Sequence, residues 1–113
     1  MRRDIRKYLY DILKAADIIR GFLHGKNFGD YEADILLRSG VERQFQIIGE
    51  ALTQMARVDP ALATRISEYR QIVGFRNILV HAYAEVDDRV VWSIALTELD
   101  SLYCEVEALL AES

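Results

Sequence analysis

The chain has 113 residues, 51% hydrophobic and 28% charged, with one proline and six glycines, which fits one globular domain with a modest core and excludes long disordered linkers. A net charge of -4 argues against wholesale wrapping of nucleic acid, which relies on a broadly basic surface, but leaves a local basic site open. Charges interrupt every apolar run, so no segment approaches the roughly 18 residues that read as a membrane span.

The helical period runs throughout and no strand pattern competes. From Asp4, the residues Ile5, Tyr8, Leu9, Ile12, Ala16, Ile19 and Leu23 recur at three- and four-residue spacing, predicting an amphipathic first helix that ends between Gly21 and Gly25. His24 to Gly29 then form a loop, and Asp30 is positioned to cap a second helix. Its stripe is Ile35, Leu37, Val41, Phe45, Ile48, Leu52 and Met55, running as far as about Arg57. Asp59-Pro60 is a helix start, because a capping Asp precedes a residue that has no backbone N–H to waste. The third helical region carries Leu62, Ile66, Tyr69, Ile72, Val73, Ile78 and Leu79, with Gly74 as a bend point and a stop near His81. Residues 82–87 link it to a last helix capped by Asp87 or Asp88, with Val91, Ile94, Leu99, Leu102, Val106 and Leu109 on the core face. The expected fold is all-α, an up-and-down antiparallel four-helix bundle over residues 1–113 that can accommodate a broken third helix or an extra short one.

One segment reads as chemistry, Arg76-Asn77-Ile78-Leu79-Val80-His81-Ala82-Tyr83. Arg offers a permanent cation with a forked donor set suited to phosphate, and His can exchange a proton near neutrality. On a continuous helix of about 100° per residue, His81 lies about 140° round from Arg76. The two converge on one phosphate only if the helix ends near Val80 or His81. Ile78, Leu79 and Val80 are expected to anchor the segment in the core. Taken singly, each polar residue also has a plainer role: His81 as a charge at the negative end of a helix, Arg76 as a surface cation, Asn77 as a cap, Tyr83 as a half-buried aromatic. Glu50 reads as a solvated or capping carboxylate.

Other residues carry less. Two histidines and the lone Cys104 do not supply a usual structural zinc set, which leaves carboxylates alone as a route to metal binding; no metal and no cofactor is expected. No Gly-rich phosphate loop and no nucleophilic triad spacing is present. Cys104 has no internal disulfide partner, and Arg2 and Arg3 are not followed by the apolar core of a signal peptide, so the expected location is cytoplasmic. Beyond Arg89 the chain has no Lys or Arg, only carboxylates, and the bland account of that bias is a solvated helix face.

The combination Arg76-Asn77-x-x-x-His81-x-Tyr83 matches the Arg-x4-His-x-Tyr signature of the HEPN superfamily, and the chain resembles its HepT-like (DUF86-type) toxins. The likeness extends over Ile47-Ile48-Gly49-Glu50-Ala51, the Phe75–Tyr83 core, and Val86-Asp87 leading to Val91-Trp92. Similar proteins often carry a Pro-Trp pair before the motif helix, whereas here Pro60 is followed by Ala61, which leaves the subfamily open. The resemblance implies a metal-independent endoribonuclease, the toxin of a type VII toxin–antitoxin module. Its partners would be an RNA substrate, a second copy of itself, and an MntA-like nucleotidyltransferase antitoxin, with which it can form larger hetero-oligomers; no membrane partner is implied. Arg76, His81 and Asn77 would be catalytic, and Tyr83 would be the residue that the antitoxin modifies with AMP. The alternative class is a non-catalytic HEPN module that binds nucleotide and regulates a nucleotidyltransferase, with Arg76 holding a phosphate. A third is a plain dimerisation bundle.

Overall fold

A computed structural model describes residues 1–112. Its helices are α1 (Arg3–Leu23), α2 (Phe28–Ala33), α3 (Ile35–Val58), α4 (Pro60–Ala63), α5 (Tyr69–His81), α6 (Asp88–Thr97) and α7 (Leu99–Ala111), with a 3-10 turn at Tyr83–Glu85. No strand occurs among the described residues. The long helices make the expected bundle: α3 packs on α1 and α5, and α7 packs on α1 and α6.

The core is one apolar cluster drawn from all of these helices. Leu9, Ile12, Ala16 and Ile19 of α1 are fully buried, as are Val41, Ile48, Leu52 and Met55 of α3, and Leu79, Val91, Leu102 and Val106 complete it with at most 3% exposure. Helical spacing gives each helix one continuous apolar stripe, and burial of such stripes against each other holds the bundle together. No helix among the described residues is long and apolar enough to cross a membrane.

Three local departures from the sequence reading have physical causes. The second helix is not capped by Asp30. Asn27 caps the short α2 by accepting from the Asp30 N–H, while the Asp30 carboxylate accepts from the Asn27 N–H, so Asp30 completes a capping box from inside the helix. Asp34 then caps α3 by accepting from the N–H groups of Leu36 and Leu37. The apolar stripe of α3 consequently starts late: Ile35 and Leu36 are 71% and 81% exposed. The third region is broken, as the expected fold allows, but the chain turns at 64–68 between α4 and α5 and not at Gly74, which lies inside a continuous α5. That turn is tied to α7 by Ser67, whose N–H and hydroxyl both donate to Glu105, and by the Arg65 guanidinium forked on Glu112. The last helix is likewise interrupted, at Glu98 between α6 and α7. Asp87 caps α6 as expected, accepting from the Arg89 N–H.

The interruption lets α6 cover α2. Trp92 packs tilted against Tyr31 and edge-on against Phe28, at centroid distances of 5.7 and 6.1 Å, and the Arg89 guanidinium lies 4.7 Å from the centre of the Phe28 ring. Beneath this lid, burial and the neighbouring carboxylates of Glu42 and Asp88 push the Tyr31 phenol well above its ordinary range. The Glu42 carboxyl is raised from its ordinary 4.5, first by burial and then by the charge of Asp88, with Arg38 acting in the opposite sense. A raised acid holds its proton in the folded chain over a window where the unfolded chain has released it, so stability falls as pH rises through that window and stays lower above it. Glu42→Gln is therefore expected to raise Tm at about pH 7 and to leave it nearly unchanged at about pH 3.5, where Glu42 is protonated in both states. Thermal melts of both proteins at the two pH values check this, and equal Tm values at neutral pH would contradict it.

Candidate active site

The site is built where α5 meets α3 and then ends. Phe75 packs edge-on against Phe45 with ring centroids 5.4 Å apart, which fixes the register of α5 on α3. One residue further on, Arg76 leans across Gly49. A Cβ added at Gly49 would sit 2.5 Å from Arg76 Cγ and would overlap Arg76 Cβ as well. Gly49 is thus required by close approach of two helices, as a glycine in a helix interior commonly is.

Beyond that contact the Arg76 guanidinium is held from two sides. Its Nη1 donates to Asn77 Oδ1 at 3.0 Å, and its Nη2 lies 3.9 Å from Glu50 Oε1 on α3. Arg43 Nη1 approaches the same Glu50 oxygen at 3.8 Å. Both distances to Glu50 exceed hydrogen-bond length, so these are charge contacts without shared protons. The Arg76 side chain is 24% exposed, and its Nε is buried without a hydrogen-bond partner. Beside it opens a cleft of about 340 Å³ between α1, α3 and α5, lined by Tyr8, Asp11, Ile47, Glu50, Ala51, Gln54 and Arg76.

His81 is the last residue of α5, and the backbone leaves helical geometry at Ala82, with φ -137° and ψ 41°. The helix therefore stops at the motif, as the spacing argument required. His81 remains on the helical register, exposed, and makes no hydrogen bond with Arg76. The arrangement brings Arg76 together with Asn77 and Glu50, and it leaves His81 on the outward face of the same helix. Tyr83 follows in the 3-10 turn and is 77% exposed, which rules out a core role. Of the three residues expected to anchor the segment, only Leu79 is buried; Ile78 and Val80 are 43% and 38% exposed. With the exposed Gly74, above which a Cβ would meet nothing within 4 Å, these residues leave the outer face of α5 uncovered from its middle to its end.

His24 is exposed at the end of α1 and far in sequence from any second ligand. Among the described residues, no three His, Cys, Asp or Glu side chains come together as a metal-ligand group. Gly49, Glu50, Tyr8 and Gln54 were not legible as neighbours of Arg76. Gly49 carried a signal as a glycine inside an otherwise good helical stripe, and Glu50 stood out as a polar residue beside that stripe but read as solvated or capping; Tyr8 read as part of the apolar stripe of α1, and Gln54 carried none.

A Thermococcus cleftensis protein named probable ribonuclease HepT is 33% identical over 109 residues, covering 96% of this chain and 98% of its own length. A protein of Methanocaldococcus jannaschii, provisionally named as an RNase, is 30% identical over 106 residues, covering 94% and 96%. A Caldanaerobacter subterraneus protein with the same kind of name is 29% identical over 105 residues, covering 93% of each chain. No solved structure matches the chain. Residues 12–109 match the family described as ribonuclease HepT-like, so a bundle whose α5 ends in Arg76, Asn77 and His81 belongs to the HepT-like ribonuclease family.

Proposed function

We propose that the chain is a metal-independent endoribonuclease, acting as the toxin of a toxin–antitoxin module. The observation that carries this reading is the end of α5, where Arg76, Asn77 and His81 stand at a helix terminus and Tyr83 stands exposed just beyond it. His81 takes the proton of a ribose 2'-hydroxyl, and the 2'-oxygen attacks the adjacent phosphorus. The bond from phosphorus to the 5'-oxygen breaks, leaving a 2',3'-cyclic phosphate and a 5'-hydroxyl. Arg76, steadied by Asn77, stabilises the charge that develops on the phosphoryl oxygens, and general acid–base help of this kind contributes about 10²–10⁴-fold.

One His81 cannot both take the first proton and deliver the second in a single concerted step. Within one chain it also stands round the helix from Arg76. A two-fold dimer through the uncovered face of α5 supplies a second His81 as the acid for the leaving oxygen, and an isologous pairing of one helix with its copy is the simplest symmetry available. The partner antitoxin is a nucleotidyltransferase that transfers AMP from ATP to the Tyr83 hydroxyl, releasing pyrophosphate. The modification places bulk and a negative phosphate close to the cleavage site, where it competes with RNA. The modified chain is held with its antitoxin in a larger complex, and both act in the cytoplasm.

The test is incubation of the purified chain with single-stranded RNA in EDTA, followed by analysis of the new 3' ends. The expected products carry 2',3'-cyclic phosphate; no cleavage, or cleavage that requires added metal, would overturn the reading and leave a non-catalytic nucleotide-binding module. Tyr83→Phe is expected to keep cleavage within about threefold of wild type while accepting no AMP from the antitoxin, as read by intact mass, because the hydroxyl serves only the modification. Modification of the Phe variant would move the acceptor elsewhere.

A further inference from the structure

The cleft beside Arg76 contains polar groups that nothing in the chain uses. Tyr8 on α1 is half-buried, and neither its hydroxyl nor the Gln54 amide has a hydrogen-bond partner among the described residues. Glu50 has only the two long charge contacts to Arg76 and Arg43, so both of its oxygens are free to accept hydrogen bonds. Asp11, by contrast, is taken by Lys7 at 2.9 Å. Ile47 and Ala51 give the cleft an apolar floor. A concave site with an apolar lining and a few convergent unpaired polar groups is how proteins hold a flat organic ring.

The spacing of these groups selects the ring. Glu50 and Gln54 are four apart on α3 and so project from one face with Cβ atoms about 5–6 Å apart, a separation comparable with the length of a purine Watson–Crick edge. A carboxylate accepts and cannot donate, so Glu50 is best matched by two neighbouring N–H groups, one to each oxygen, whereas the Gln54 amide can donate. Guanine presents that pattern, with N1–H and the N2 amine side by side and O6 at the far end of the edge. Adenine and uracil offer a carboxylate no such pair. Tyr8 stands across the cleft as the surface for the ring face, the usual way an unstacked RNA base is received.

We infer that this cleft is a guanine-binding subsite, in which Glu50 accepts from N1–H and N2–H, Gln54 donates to O6, and Tyr8 packs on the base. It rests on the ribonuclease reading for its place in catalysis, since Arg76 would then hold the phosphate attached to the bound guanosine. It makes the enzyme selective for the base next to the bond that is cut.

Two readouts test it. The first is cleavage of single-stranded RNAs that differ at one position, with guanosine, inosine or adenosine beside the scissile bond. Wild type is expected to prefer guanosine over adenosine by about tenfold or more, the value of one good bidentate contact, with inosine between them because it lacks the N2 amine. Glu50→Gln is expected to abolish the preference. Cleavage by wild type without a base preference, or a preference that survives Glu50→Gln, would overturn the subsite and leave the ribonuclease reading intact. The second readout needs no cleavage: titration with GMP and AMP followed by backbone amide NMR. Tighter GMP binding, with shifts at Glu50 and Gln54 that Glu50→Gln removes, supports the subsite even if the chain proves not to cut RNA. Equal affinity for the two nucleotides, or shifts elsewhere, overturns it.

Discussion

His81→Ala is expected to lower the rate of RNA cleavage by about 10²–10⁴-fold while leaving Tm unchanged within a degree or two. The two halves of that statement have separate causes. His81 is exposed at the last position of α5 and makes no side-chain hydrogen bond or ion pair among the described residues, so removing its ring leaves no cavity and no orphaned partner. On the proposed mechanism its loss is felt by the transferred proton and not by the fold. The outcome is read from single-turnover cleavage in EDTA beside a thermal melt of each protein. Arg76→Ala should fall by a similar factor through a different route, because it removes charge stabilisation and frees Asn77 and Glu50 from their shared cation. Cleavage that persists in both variants would remove the segment from catalysis.

Gly49→Ala is expected to have the largest effect on stability. Two contributions oppose each other. Alanine is the better helix former by about 1 kcal/mol at an interior position. Against it stands the overlap of the new methyl with Arg76 Cβ and Cγ. Arg76 Cβ is attached directly to the α5 backbone and cannot swing away, so the two helices must separate at a place where the Phe45–Phe75 contact also holds them. Overpacking of that kind costs about 1–3 kcal/mol, and at least the upper half of that range exceeds the gain in propensity. The net expectation is a Tm lower by several degrees, together with a loss of cleavage because Arg76 is displaced. Gly21→Ala in α1 is the matched control, since a Cβ there meets nothing within 4 Å; it should be stabilising by up to about 1 kcal/mol. Equal melting of Gly49→Ala and wild type would show that α5 yields to the methyl without strain.

The architecture was largely legible because the apolar stripes are long and regular. Leu9, Ile12, Ala16 and Ile19, or Phe45, Ile48, Leu52 and Met55, fall on one helical face by spacing alone, and all are buried. Boundaries were less legible where two polar residues compete to cap. Asn27, Asp30 and Asp34 each have a side chain fit to start a helix, and only the reciprocal bonds between Asn27 and Asp30 decide that two helices begin there. A broken third helix is allowed for, with Gly74 as the bend point, but its place at 64–68 was not legible, because the contacts that tie that turn down come from Glu105 and Glu112, 38 and 47 residues further along the chain. At the site, spacing placed the end of α5 near Val80 or His81, and it ends at His81, but the expected swing of His81 towards Arg76 does not occur within one chain. Spacing misjudged Ile78 and Val80, because their apolar side chains read as core while the helix turns them outward. The packing of Arg76 across Gly49 and beside Glu50 joins two helices, and a single-helix argument has no access to it.

The proposed mechanism requires two copies of the chain to share one cleft, each supplying a His81. It is tested most directly by mixing wild-type and His81→Ala chains in varied proportion, allowing subunits to exchange, and measuring RNA cleavage at constant total protein. If both histidines serve one reaction, a mixed dimer is as impaired as the variant, and the rate falls with the square of the wild-type fraction. A rate that falls linearly with that fraction would mean that each chain cuts RNA with its own histidine, and would contradict the account.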